Sequence, residues 1–241
     1  MLTKMYLTNF LSFSERTEFD FTASKYSILD KTNVFNNEIL KGALFIGPNA
    51  SGKSNALAGI AFIIKLIKGE GATIDNSRCF FSKNPTTTVE YEFVFSGKKV
   101  EYKIEYNIKT KSICEKLMID NVVVLERNGT KGVLKIGDTN VTDDQLDAET
   151  LFLRTASFNT GRFPQEPILH ELMDYLFNSY FVDGYNQEAH WGKNIKKYAE
   201  EHGVEKINEY LHEFNYDFFI EYGSESEGNG LKITLGSKGK G

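Results

Sequence analysis

The chain has 241 residues, 41% of them apolar, 25% charged, with a net charge of −5, an ordinary globular composition with enough apolar content for a sizeable core. The negative balance excludes an overall basic field for gripping nucleic acid, and no run reaches the ~18 apolar residues of a membrane span. Lys4, Asn9 and Ser12 break the first apolar stretch as a secretory leader would not be broken, and Cys79 and Cys114 lie apart without metal spacing, so the expected location is the cytoplasm, with both thiols structural.

Residues 2–22 read as two strands meeting near Ser12 to Glu15, because Phe19 and Phe21 alternate with Glu18 and Asp20 in period two. Residues 23–41 are polar and irregular, a surface connection. It leads into Gly42–Ile46, whose run Ala43, Leu44, Phe45, Ile46 predicts a buried central strand. Next comes GPNASGKS, Gly47 to Ser54, which fits G-x-x-x-x-G-K-[ST]. Glycines let such a loop curl until successive N–H groups point inward, and that nest of donors suits a polyphosphate. Gly47, Asn49, Ala50, Ser51, Gly52, Lys53, Ser54 and Asn55 are the predicted nucleotide-binding residues. Lys53 is expected on the β- and γ-phosphates of ATP, Ser54 on Mg²⁺, and the dipole of the following helix favours the same anion. That helix is predicted over Asn55–Ile67, stopped by Gly69 and Gly71.

The loop with its flank, GPNASGKSN, resembles that of ABC-type ATPases in the RecF, SMC and overcoming-lysogenization-defect group. MYLTNFLSF, Met5 to Phe13, is similar to that group's opening strand. Ile39 to Ile67 resembles the stand-alone ATPases of bacterial anti-phage systems, and VEYEFVFSGKKVEYKIEYN, ICEKLMIDN and VLERNG are similar to the strands that follow. The resemblance covers roughly residues 1–160, with the phosphate loop its only specific motif. It implies an α/β fold of P-loop type with an appended antiparallel subsheet and a C-terminal helical part. It also implies ATP hydrolysis at a dimer interface, in phage defence or DNA repair, with an effector such as a nuclease as a possible partner. In many such ATPases the region after the first hairpin lies by the adenine, where Tyr26 or Phe35 would stack; anchoring a loop to the core is the commoner role for such aromatics.

Beyond the helix, Ala72–Thr87 reads as a linker punctuated by Asn84-Pro85. Strand patterns follow: Val89 to Phe95, a Ser96-Gly97 turn, Val100 to Ile108, Ile113–Met118, Val122–Glu126, an Asn128-Gly129 turn, and Val133–Ile136. The carboxylates Asp143, Asp144, Asp147 and Glu149 suit a solvated helix start better than a metal cluster. The first domain is placed at 1–160 and a second at 161–241. The second opens with a helix whose face is Ile168, Leu169, Leu172, Met173, Leu176, Phe177 and Tyr180. Helices over Asn194–Glu201 and Val204–Phe214 follow, then a hairpin of Tyr216–Tyr222 and Leu231–Leu235. His170, His190, His202 and His212 lack metal spacing, and the groups Lys98, Lys99, Lys103 and Lys193, Lys196, Lys197 read as solvated faces, so nucleic-acid affinity is expected to be weak.

Hydrolysis in the group it resembles also calls for an apolar strand ending in Asp-Glu. The nearest stretches are LMID, Leu117 to Asp120, followed by Asn121, and FFIE, Phe218 to Glu221, which lacks the Asp. LGSKGKG at Leu235–Gly241 does not match the partner-contacting signature loop, and none of Gln145, Gln165 or Gln187 has the flank of a switch glutamine. Two expectations of different class result. One is the ATP-binding portion of a dimeric ATPase whose catalytic half is not in these residues. The other is a non-hydrolysing module whose ATP controls assembly.

Overall fold

The computed structural model describes residues 1–24, 30–36, 38–69, 74–179, 199–213, 218–222 and 231–235. The chain divides into two units, Met1–Phe177 and Asn178–Gly241, so the helix expected to open the second domain belongs to the first.

The first unit is built on an eight-stranded sheet. Its strands are β1 (Leu2–Thr8), β2 (Thr17–Asp20), β5 (Thr86–Phe95), β6 (Lys98–Asn107), β7 (Ser112–Ile119), β8 (Val122–Asn128), β9 (Lys131–Ile136) and β10 (Thr139–Asp143), with β3 (Val34–Phe35) and β4 (Ile39–Leu40) forming a separate two-stranded ribbon. The order is β10-β9-β8-β7-β6-β5-β1-β2, and every pairing is antiparallel. Period-two alternation explains the arrangement. Phe19, Met5, Tyr91, Tyr102, Leu117, Leu125, Leu134 and Val141 stand opposite one another in one row across all eight strands. A one-residue slip anywhere would turn that row to water, so the apolar pattern sets the register. The opposite face is polar: Lys4 pairs with Glu18 and Asp20, Arg16 with Glu90, Lys99 with Glu92 and Glu101, and Lys103 with Glu105. Lys99 and Lys103 are thus part of a mixed-charge face, whereas Lys98, opposite Phe95, has the parity of the other face at the strand's exposed start.

After the single turn α1 (Asp30–Asn33), helix α2 (Lys53–Lys68) lies on the apolar face. Its buried residues include Ala56, Gly59, Phe62, Ile63, Leu66 and Ile67, and it ends at Gly69 with φ 73°. Gly59 is the closest approach: a Cβ there would stand 2.9 Å from Leu7 and 3.0 Å from Met5. The Tyr91 hydroxyl donates to Gly59 O at 2.6 Å, and burial holds that phenol protonated well above its usual range. Helices α3 (Phe152–Phe158) and α4 (Pro167–Phe177) complete the cover, and the rings of Phe93 and Phe95 pack edge-on against Tyr175.

Three sequence expectations change. The antiparallel sheet is the frame of this unit rather than an appendage. Gly42–Ile46 is not a strand, and Leu44 and Ile46 are 83% and 85% exposed. A buried strand needs hydrogen-bonded neighbours and cover on both faces, and among the described residues no strand pairs with this run. The predicted linker is also more ordered than its composition indicates: Ile74–Ser77 is a 3₁₀ turn, and Leu11 N donates to Ser77 O while Cys79 N donates to Asn9 O.

In the second unit, helix Glu205–Glu213 packs beside the hairpin Phe218–Tyr222 and Leu231–Leu235. The Asn208 side chain donates to Ile220 O at 2.8 Å and accepts from Ile220 N at 2.7 Å. Of the helix expected over Asn194–Glu201, residues 199–201 are helical; the rest lies outside the described residues.

Candidate phosphate-binding site

The loop is shaped by two left-handed positions. Ala50 has φ 62° and Gly52 φ 92°, with Ser51 between them on the ordinary side. That alternation of hand turns successive N–H groups to one side and makes a concave nest. Ser51 N donates to Pro48 O at 3.3 Å, and a Cβ on Gly47 would stand 2.9 Å from Ser51 Oγ, a close return of the chain in which a side chain at Gly47 would make the Ser51 hydroxyl turn aside. Gly52 is the N-cap of α2 and offers no side chain to the first-turn N–H groups, nor is any acidic residue in that turn. An anion therefore meets open donors and no competing carboxylate.

Lys53 folds back over the loop. Its ammonium donates to Gly47 O at 2.8 Å and Pro48 O at 2.6 Å, with Ser51 Oγ at 3.4 Å. Two exposed carbonyls and a hydroxyl form an exchangeable set of acceptors, because all three can turn to water when the ammonium moves to a stronger acceptor. Asn49 and Ser54 are exposed and Asn55 is half-buried. The predicted binding residues thus sit in one continuous turn at one helix end, and their chemistry fits a Mg²⁺-bound nucleotide: a cation, a hydroxyl open to solvent and a nest of N–H donors.

Other predicted positions fall elsewhere. Phe35 is 43% exposed in the short ribbon, and Tyr26 lies outside the described residues, as do His190, Gln187, the Lys193, Lys196, Lys197 group and residues 236–241. Asp120 is a turn residue with φ 47°; it accepts from Lys99 N at 2.9 Å and its own N donates to Lys99 O at 2.9 Å. Glu221 is on a strand of the second unit. Gln165 donates to Phe163 O, and Gln145 is exposed. Asp143 is buried and paired with Arg162 at 2.8 Å. Asp147 accepts from Glu149 N and Thr150 N, which closes the turn before α3. Among the described residues no group of three or more His, Cys, Asp or Glu is placed to hold a metal ion.

Two features escaped sequence reasoning. One is the contact of the β1–β2 turn with the loop: Ser12 Oγ and Phe13 Cζ lie 3.2 and 3.3 Å from the position of a Cβ on Gly52. The 38 residues between Phe13 and Gly52 hide it. The other is a buried ion pair, Arg127 to Glu115 at 3.2 Å, with side chains 1% and 0% exposed. Glu115 also accepts from Tyr102 Oη at 2.6 Å, Phe152 N at 2.6 Å and Leu153 N at 3.3 Å. Arg127 donates in addition to Gly129 O, Thr150 O and Asp147 O. Burial first, then the charge of Glu115, holds the Tyr102 phenol protonated well above its usual range. The signal was present: in Ile113, Glu115, Leu117 and in Leu125, Arg127 the charged residues occupy inward positions of the alternation.

A helix-capped phosphate loop on a mixed α/β unit defines a P-loop nucleotide-binding protein. The family model described as "AAA domain, putative AbiEii toxin, Type IV TA system" matches residues 43–160, from the apolar run before the loop to just past α3. The match supports a P-loop ATPase and implies use of a nucleotide and, as is usual in such ATPases, Mg²⁺. No curated protein matches the chain. No helix among the described residues is long and apolar enough to cross a membrane.

Proposed function

We propose that this chain is the ATP-binding portion of a RecF/SMC-like ATPase that hydrolyses ATP at a dimer interface, acts in phage defence or DNA repair, and works in the cytoplasm. The observation that carries the reading is the loop itself, with Lys53 held by two loop carbonyls over a nest of open N–H groups. Lys53 binds the β- and γ-phosphates, the backbone of residues 49–55 orients the phosphate chain, and the Ser54 hydroxyl holds the metal. Mg²⁺ supplies neutralisation of the charge that develops on the transferred phosphoryl group.

Two observations support a need for a second body. Leu44 and Ile46 stand exposed beside the loop, as befits a segment covered by further strands. Asp120, at the end of the apolar strand nearest in pattern to a metal-supporting one, sits in a turn where its Oδ1 accepts from Lys99 N. Without an orienting carboxylate, losses on the order of 10³-fold in turnover are expected by analogy with missing transition-state contacts. The chain alone therefore binds ATP and hydrolyses it negligibly, and turnover returns with a homodimer or a completing half; an effector such as a nuclease is the further partner. Nucleic-acid binding by this chain is weak, as its mixed-charge sheet face befits.

The test is calorimetry of Mg·ATP binding to the wild-type chain and to Lys53→Ala. A charge-assisted contact contributes roughly 1.5–3 kcal/mol, so the variant loses at least about tenfold in affinity. Equal affinities would remove the basis of the reading. Steady ATPase activity from this chain, abolished by Lys53→Ala, would overturn the claim of incompleteness.

A further inference from the structure

The segment that leads from the 3₁₀ turn Ile74–Ser77 into β5 holds two phenylalanines in water. Phe80 and Phe81 are 84% and 86% exposed, and their rings meet edge to face at 5.5 Å. The backbone beneath them is braced. The N–H of buried Cys79 donates to Asn9 O at 3.0 Å and Ser82 N donates to Cys79 O at 3.2 Å. Arg78 donates to Ser82 O, and the Asn9 side chain donates to Asn84 O and Thr86 O, both at 2.8 Å. Tied on both sides, this turn holds the rings off the sheet.

The same end of the sheet is basic. Thr86 pairs with Asn107 and Ile108 N donates to Pro85 O at 3.0 Å, which sets the β6–β7 turn beside the turn of the phenylalanines. One turn carries Arg78 and Lys83 and the other Lys109 and Lys111; the three lysines are exposed and pair with no carboxylate among the described residues. Residues 76–89 and 106–114 contain no Asp or Glu, in a chain whose net charge is −5. The β1–β2 turn on the other flank adds Glu15 and Arg16, one charge of each sign.

Two rings at this exposure leave roughly 300–400 Å² of apolar surface in water, within the range of patches that mark interaction sites. That is well short of the about 800 Å² per partner of a stable protein interface, so a second copy does not account for it. An aromatic platform for bases rests one ring face on its own protein, and rings this exposed do not. Apolar side chains projecting from a turn beside lysines match the boundary of an anionic bilayer, which takes the rings about 5–10 Å deep and leaves the ammonium groups among the lipid phosphates.

We propose that the Phe80–Phe81 turn and the β6–β7 turn form a docking tip that seats reversibly on an anionic lipid surface, with Phe80 and Phe81 entering the acyl boundary and Arg78, Lys83, Lys109 and Lys111 meeting the headgroups. The cytoplasmic leaflet is such a surface, in keeping with the location proposed above. The inference goes beyond the nucleotide reading and stands apart from it.

The experiment is co-sedimentation of the wild-type chain with vesicles of equal parts phosphatidylserine and phosphatidylcholine, and with vesicles of phosphatidylcholine alone. Beside it run Phe80→Ala, Phe81→Ala, the double variant Lys109→Gln with Lys111→Gln, and Val122→Ala, which changes an apolar side chain 65% exposed at the other end of the sheet. The wild type is expected on the mixed vesicles at least about tenfold more tightly than on phosphatidylcholine, with affinity falling as salt rises from about 0.1 M to about 0.5 M. Each phenylalanine variant and the lysine double variant lose at least about fivefold. Val122→Ala is unchanged, and no thermal unfolding midpoint moves, since side chains this exposed carry little stability. Equal binding to both vesicles, or mixed-vesicle binding that survives both phenylalanine variants, would overturn the proposal. A midpoint lowered in either of those variants would show the rings packed on the chain and overturn it too. So would a wild type that leaves the vesicles in the supernatant, whether the same variants then lose a fluorescein-labelled oligothymidylate, which places the tip on nucleic acid, or lose self-association in sedimentation velocity, which places it on a second copy.

Discussion

The phosphate loop and the Glu115–Arg127 cluster both place a cation against oxygen acceptors, in opposite surroundings. Lys53 bonds to loop carbonyls at the protein surface. Arg127 is sealed beneath α3, with a carboxylate and three carbonyls around it. In water an ammonium exchanges partners at little cost; in a dry interior an unpaired charge carries its full desolvation penalty. The first arrangement is therefore suited to release and capture, the second to fixing α3 on the sheet. Glu115 completes that fixing by accepting both Phe152 N and Leu153 N, the open donors at the start of α3.

The sharpest test of the contrast is Glu115→Ala, which leaves Arg127 buried without its counter-ion and is expected to cost about 3–5 kcal/mol, read from the urea midpoint by far-UV circular dichroism. Lys53→Ala should move that midpoint by less than about 0.5 kcal/mol while losing ATP. Similar destabilisation by both would erase the distinction.

Tyr102→Phe removes one bond to the Glu115 carboxylate and is expected to cost about 1.5–3 kcal/mol. The pH dependence follows from the same burial. In the unfolded chain the phenol ionises from about pH 10, whereas in the folded chain it stays protonated. Raising the pH past that point therefore drains stability from the wild type, and the variant, lacking this phenol, shows the shallower slope. An identical slope would mean that Tyr102 is not sealed in the cluster.

Gly132→Ala probes the packing around the cluster, since its Cβ would stand 2.7 Å from Leu146 and 2.8 Å from Phe152. Overpacking of this kind costs about 1–3 kcal/mol, and a neutral result in the same denaturation assay would show that α3 yields easily. The smallest effect is expected for Leu44→Ser beside the phosphate loop. This side chain is 83% exposed, so the stability of the chain should shift by less than about 0.5 kcal/mol. A larger loss would show Leu44 buried in solution, against the picture of an uncovered segment.

Much of the frame was legible from local chemistry. Alternating Val89, Tyr91, Phe93, Phe95 and Val100, Tyr102, Ile104, Tyr106 define strands whose inward face is unambiguous, because side chains in a strand repeat every two residues. Gly47, Gly52 and Lys53 define a phosphate nest, because few residues tolerate its backbone and a cation must stand beside it. The helix after the loop and its stop at Gly69 are likewise local, resting on apolar periodicity and on glycine's access to positive φ.

What tertiary structure alone decided is which of these local elements meet. An apolar run such as Ala43–Ile46 has strand propensity whether or not neighbouring strands exist, and hydrogen bonding between strands is not encoded in either strand alone; here Leu44 and Ile46 stand exposed. The alternation that exposes Glu115 and Arg127 as inward charges does not say that they meet, because pairing depends on the β7–β8 register. Nor does a turn at Ser12 reveal its contact with Gly52, since that contact comes from α2 packing on β1 at Gly59, where a missing side chain lets helix and strand approach.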